Sequence, residues 1–150
     1  MKKLFLPLLL LLVSAAASTV SAYEHISDSE IIIQAVASSH PNADLGAKTA
    51  ICAVILNRIE DSGFGSTASE VIRADESGFD PTLLCDPIDE KNYRITRDAY
   101  LVASCGADPT GGMLYFEKLP EPSRKDNIIE FVSGLEISKY SAVIGGYGFY

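Results

Sequence analysis

The chain has 150 residues, with 12 basic and 20 acidic side chains, a formal net charge of −8, and no Trp. Hydrophobic residues make up 47% and charged residues 21%, which excludes a disordered tail or low-complexity linker and fits one domain rather than two. So acidic a surface is repelled by nucleic acid and by anionic membranes, and neither is expected as a partner.

The chain opens with Lys2 and Lys3, an apolar run from Leu4 to Val13, and small residues from Ser14 to Ala22. Val20-Ser21-Ala22 fits the small-x-small cleavage rule, so residues 1–22 read as a secretory signal peptide and residues 23–150 as the exported domain. The run is short for a spanning helix, and no later run is long enough. Membrane contact is therefore expected only through the signal peptide before cleavage. Losing the two lysines makes the domain more acidic still.

Ser27-Asp28-Ser29-Glu30 has the capping-box form, and Pro41 is a stop, so a helix is expected from Asp28 to about Ser39. Ile32, Ala35 and Val36 share one face of it; Ile31, Gln34 and Ser38 share the next. A second helix is expected from near Asp44 to about Glu60. It is apolar almost all round, as a central buried helix is. Thr67-Ala68-Ser69-Glu70 is a further capping box, opening a short helix through Arg73. Residues 74–91, rich in Asp, Glu, Pro and Gly, read as a long surface loop with Phe79 as an isolated aromatic, and such a loop is usually functional. A helix then spans Tyr93 to Cys105, with Ile95, Ala99 and Val102 inward and Gly106 as its C-terminal cap. Beyond it the period shortens: Met113–Phe116, Ile128–Val132 and Tyr140–Ile144 read as strands. The fold class is α+β, mainly helical, with a small C-terminal antiparallel sheet.

Three cysteines are an odd count for an exported chain. Cys52, in its apolar helix, reads as a buried free thiol. Cys85 and Cys105 flank a polar stretch and are free to pair. Their disulfide would close a loop of about 20 residues, worth on the order of 3 kcal/mol. A Cys nucleophile would need His25 or His40, and spacing does not show that either reaches a thiol; a buried structural Cys is the expected case. His40 reads as a helix-end residue near the C-terminal dipole. No phosphate-binding glycine loop, dinucleotide fingerprint, H-E-x-x-H or C-x-x-C is present, and no metal or other cofactor is expected.

Several segments then stand in a telling order: Ala47 through Ala53-Val54-Ile55-Leu56-Asn57-Arg58, then Ser62-Gly63-Phe64, Glu70-Val71-Ile72 and Gly78-Phe79. They are followed by Asp108-Pro109-Thr110-Gly111-Gly112-Met113-Leu114-Tyr115-Phe116, and the chain closes on Ile144-Gly145-Gly146-Tyr147-Gly148-Phe149-Tyr150. Together they resemble the bacterial cell-wall hydrolases of the spore-cortex-lytic (SleB) type over about residues 27–150. The resemblance implies a lysozyme-like domain acting outside the membrane as a muramidase or lytic transglycosylase on peptidoglycan glycan strands; a monomer is expected. It also implies a groove to which Gln34, Phe79, Tyr115, Phe116 and Tyr147 contribute.

The chain departs from the family pattern where the chemistry should be. The family's first helix ends in a pattern like Ala-Glu-Ala-Arg-Gly-Glu, whose first Glu is the catalytic acid; here Ala37-Ser38-Ser39-His40-Pro41-Asn42 stands instead. Ser38 occupies the acid's position. Gly146 and Tyr147 replace a usual Asn-His pair, and Glu117 follows Tyr115-Phe116 where the family has no acid. Cleaving a glycosidic bond needs a carboxylic acid that keeps its proton near neutrality, and a Ser hydroxyl is far too weak. Glu117 is the first substitute to consider, then Asp75 and Glu76. Two functions follow: a glycosidase whose acid has moved, or an inactive relative that binds glycan or another wall protein.

Overall fold

The computed structural model describes residues 26–61, 63–75, 77–120 and 139–150. The expected signal peptide, His25, Glu76 and the expected strand Ile128–Val132 lie outside them.

Four helices come first: α1 (Asp28–Ser39), α2 (Leu45–Glu60), α3 (Ala68–Arg73) and α4 (Glu90–Ser104). Side chains start each one. The Ser27 hydroxyl accepts from the Glu30 amide, Asp44 from Ala47, Thr67 from Glu70 and Asp89 from Asn92. Only Thr67 and Glu70 complete a reciprocal capping box. Glu30 instead accepts from the Tyr93 hydroxyl at 2.9 Å, tying α1 to α4. Asp89 explains why α4 begins at Glu90 rather than Tyr93: an N-cap carboxylate lies one residue upstream. Gly106, at φ 94°, closes α4 as expected. Among the described residues between α3 and α4, Pro81–Cys85 forms a 3-10 turn.

Three short strands, β1 (Phe116–Lys118), β2 (Ala142–Ile144) and β3 (Tyr147–Phe149), form an antiparallel sheet in the order β1-β3-β2. The glycine-spaced aromatic tail is thus the central strand. Phe116 pairs with Phe149 and Lys118 with Tyr147. β1 starts later than expected, although Tyr115 and Tyr150 already exchange both backbone hydrogen bonds, at 2.9 and 3.0 Å.

α2 is the buried axis. Ala47, Ala50, Ile51, Cys52, Val54 and Ile55 pack against Ile32 and Val36 of α1, Val71 and Ile72 of α3, and Phe116, Tyr147 and Phe149 of the sheet. Along α4 the buried stripe is Thr96, Ala99 and Ala103, whereas Val102 is exposed and Ile95 only half-buried. The inward face of α4 is small and polar because it meets a buried lysine on α2.

Cys52 is free and buried, and burial pushes its thiol up to about 12. Cys105 is also a free thiol, exposed at the end of α4, so the expected Cys85–Cys105 disulfide is not formed. Cys85 precedes α4 and Cys105 follows it, and a 15-residue helix places about 22 Å between its ends. Disulfide geometry tolerates a Cα separation of at most about 7 Å.

Candidate functional site

The end of α1 is held by the buried Lys48. Its ammonium donates to the His40 carbonyl at 3.0 Å, the Asn92 side-chain oxygen at 2.8 Å and the Thr96 hydroxyl at 3.0 Å. Asn92 in turn donates to the Ala37 carbonyl at 2.9 Å. Two carbonyls at the C-terminal end of α1 are therefore satisfied by α2 and α4 rather than by water. Burial, with no carboxylate among these contacts, lowers the Lys48 pKa to about 8. The sequence signal for this clamp was a lone lysine inside an otherwise apolar helix.

Ser38 sits beside that clamp. It lines a cavity of about 230 Å³ with Ala37, Pro41, Pro87, Asn92 and the two carboxylates Asp86 and Asp89. Its Oγ is buried and makes no hydrogen bond. Asp89 already accepts from the Asn92 amide as the α4 cap. Gln34, one turn earlier, donates weakly to Glu30 at 3.5 Å, and its own oxygen has no partner.

His40, two residues on, points elsewhere. Its ring is enclosed by Phe79, Phe116 and Tyr147, with centroids 5.6, 5.4 and 5.4 Å away, all edge-on. Nδ1 lies 3.2 Å from the Tyr147 hydroxyl, and Nε2 has no hydrogen bond. Burial, then the nearby Lys48 charge, lowers its pKa to about 4 against the opposing contact with the Gly78 backbone; Lys118 adds to the lowering. The imidazole is neutral at physiological pH. Gly78, at φ 84°, lets Phe116 close the cage, since a Cβ there would lie 2.9 Å from the ring. His40 is more than a helix-end residue, and nothing in its local sequence marks the three rings that the fold brings to it.

The residues expected to share one groove are thus divided. Phe79, Phe116 and Tyr147 come together, but as buried core around His40. Ser38 faces a different cavity. Tyr115 lies on the outer side of the sheet, 41% exposed and stacked on Tyr150. Glu117 accepts from Lys139 at 2.9 Å and from the Tyr140 hydroxyl. The Tyr140 bond first, then Lys139, holds its carboxyl below the usual range. Asp75 is exposed.

The two sequence signatures turn out to clasp each other. Asn57 donates to Asp108 at 3.1 Å and to the Met113 carbonyl at 3.2 Å. The buried Arg58 donates to the Leu114 and Ser77 carbonyls, both at 2.6 Å. Burial pushes the Asp108 carboxyl up, but hydrogen bonds from Thr110, Asn57 and Gly112 outweigh it and its pKa falls. These residues build the scaffold. Among the described residues no group of three or more His, Cys, Asp or Glu is placed to hold a metal ion.

The sequence pattern of the Cell Wall Hydrolase family matches residues 43–132, which begins after α1 and so leaves out Ser38. The catalytic domain of the Bacillus cereus SleB protein superposes with a TM-score of 0.60 at 25% identity, over 81% of this chain and 88% of that one. The catalytic domain of the germination-specific lytic transglycosylase SleB from Bacillus anthracis gives 0.58 at 25% identity, over 81% and 92%. The curated proteins compared give no match. The α+β fold is that of the SleB catalytic domains, and the chain belongs to the cell wall hydrolase family.

Proposed function

We propose that this is an exported protein of the cell wall hydrolase family that engages peptidoglycan glycan strands without cleaving them. Membership of the family supports peptidoglycan as the substrate class, and residues 1–22, read as a signal peptide, support export. One observation carries the absence of cleavage: where the resemblance places the catalytic Glu, this chain has Ser38, whose hydroxyl is buried without a hydrogen bond. The carboxyls of Glu70, Asp80, Asp108 and Glu117 are lowered in pKa. A glycosidase acid needs the reverse, a carboxyl kept protonated by an apolar wall. At the end of α1, Ser38 lines the cavity beside Asp86 and Asp89.

The test is release of soluble muropeptides from purified sacculi, beside co-sedimentation of the protein with them. Binding without release above background is expected. Losing a general acid costs roughly 10²–10⁴-fold, so Ser38→Glu is the informative variant. It is expected to restore little, because Asp86 and Asp89 would face the new carboxyl and the aromatic rings wall His40 instead. Turnover by the wild type at an ordinary enzymatic rate would defeat the proposal. Glu117→Gln and Asp86→Asn would then identify the acid.

A further inference from the structure

The outer face of the sheet carries a row of aromatic rings that the Ser38 cavity does not use. Strand alternation sends Phe116, Tyr147 and Phe149 into the core and leaves Tyr115, Glu117, Gly148 and Tyr150 on the opposite face. There the ring centroids of Phe64 and Tyr115 lie 5.6 Å apart, Tyr115 and Tyr150 are stacked at 5.6 Å and 15°, and Tyr140 continues the row 6.0 Å from Tyr150. Gly148 makes the last step: a Cβ there would run into the Tyr140 ring, so glycine lets that ring lie on the strand.

The row is braced from below and neutral above. Arg58, fixed by two carbonyls, holds its guanidinium 5.2 Å from the Phe64 centroid and 5.7 Å from that of Tyr115. Lys139 lies 4.6 Å from the Tyr150 centroid and pairs with Glu117, which also accepts from Tyr140. In a chain of net charge −8, Lys139 offsets the Glu117 charge on this face. That lowers the repulsion a polymer bearing carboxylates would meet here. Tyr115 is exposed and Phe64, Tyr140 and Tyr150 are half-buried, so a row of braced rings reaches the surface, as at an interaction site. A pyranose ring matches them, with C–H bonds on one face and hydroxyls at the rim for Tyr and Glu117 oxygens.

We propose that the strip Phe64–Tyr115–Tyr150–Tyr140 is a glycan-binding platform on the outer face of the sheet, separate from the Ser38 cavity. It rests on the reading that the protein works at peptidoglycan.

The experiment uses the full exported domain, with sacculi and a β-1,4-linked N-acetylglucosamine tetramer as probes. With the tetramer, NMR signals of Tyr115, Tyr140 and Tyr150 are expected to shift, and those of Tyr93, Tyr100 and Tyr147 to stay. Tyr115→Ala with Tyr150→Ala is expected to weaken sedimentation with sacculi at least tenfold, and Tyr115→Phe with Tyr150→Phe to keep most of it. Wild-type binding with unshifted strip signals, or unaffected by the Ala pair, would overturn the platform and leave the peptidoglycan reading standing. No binding by the wild type would overturn both. Strip signals that broaden with protein concentration alone would assign the face to a second copy of the chain, also against the proposal.

Discussion

His40 shows how one side chain can carry a pH dependence for the whole fold. Its pKa is about 4 in the folded protein against an ordinary 6.5, so the unfolded chain binds its proton more tightly. The stability this represents is complete above pH 6.5 and lost as the pH falls towards 4, by at most about 3 kcal/mol. Urea midpoints are expected to drop steeply between pH 6.5 and 4, and His40→Gln to flatten that drop. A wild-type curve level over the window would contradict the cage. Ser38 is the contrasting residue: its position was legible only by likeness, and the fold alone reveals that it lines a cavity with Asp86 and Asp89, apart from the rings.

α2 carries two buried titratable groups one turn apart, and they pull in opposite senses. Lys48 has a pKa of about 8 against 10.5, a charge penalised by folding, so stability rises as the pH climbs from 8 towards 10.5. Cys52 has about 12 against 9.0, so its contribution is full below pH 9 and lost on the way to 12. The slopes, each about 1.4 kcal/mol per pH unit at most, cancel above pH 9. Chemical denaturation is expected to find stability increasing from pH 8 to 9 and then levelling. It should fall above pH 10, where Tyr93, Tyr140 and Tyr147, all raised, begin to ionise less readily than in the unfolded chain. Lys48→Met should abolish the rise and strand the His40, Asn92 and Thr96 oxygens, at about 1–3 kcal/mol each where no water replaces the donor. On β3, Gly148→Ala must displace the Tyr140 ring and is expected to cost about 1–3 kcal/mol, read as a lower melting temperature. An unchanged melting temperature would mean that Tyr140 does not lie on the strand.

At the scale of the molecule, the thiols report the topology. Cys105 is expected to react in the native protein and Cys52 only after unfolding, when a thiol reagent is followed with and without denaturant. Protection of Cys105 in the native state would restore the disulfide that the structure lacks. Mass spectrometry of secreted material is expected to find Tyr23 as the first residue; retention of residues 1–22 in a membrane fraction would argue for an anchor.

Local chemistry was enough to place α1, α2 and α3, because caps, prolines and apolar periodicity act within a few residues and are written in the sequence. It placed Gly106 for the same reason, and it marked Cys52 as buried. It misjudged the inward face of α4, since Thr96 and Asn92 turn inward to meet a lysine 44 positions away from Asn92. It also missed β3, whose glycines and aromatics form a strand only because β1 and β2 flank it. The candidate site depended on tertiary structure even more. Aromatic residues scattered from Phe64 to Tyr150 read alike in sequence, and only strand alternation decides which close around His40 and which stand on the surface. Pairing across the chain sets burial, and burial sets both the pKa values and the faces left open to a ligand.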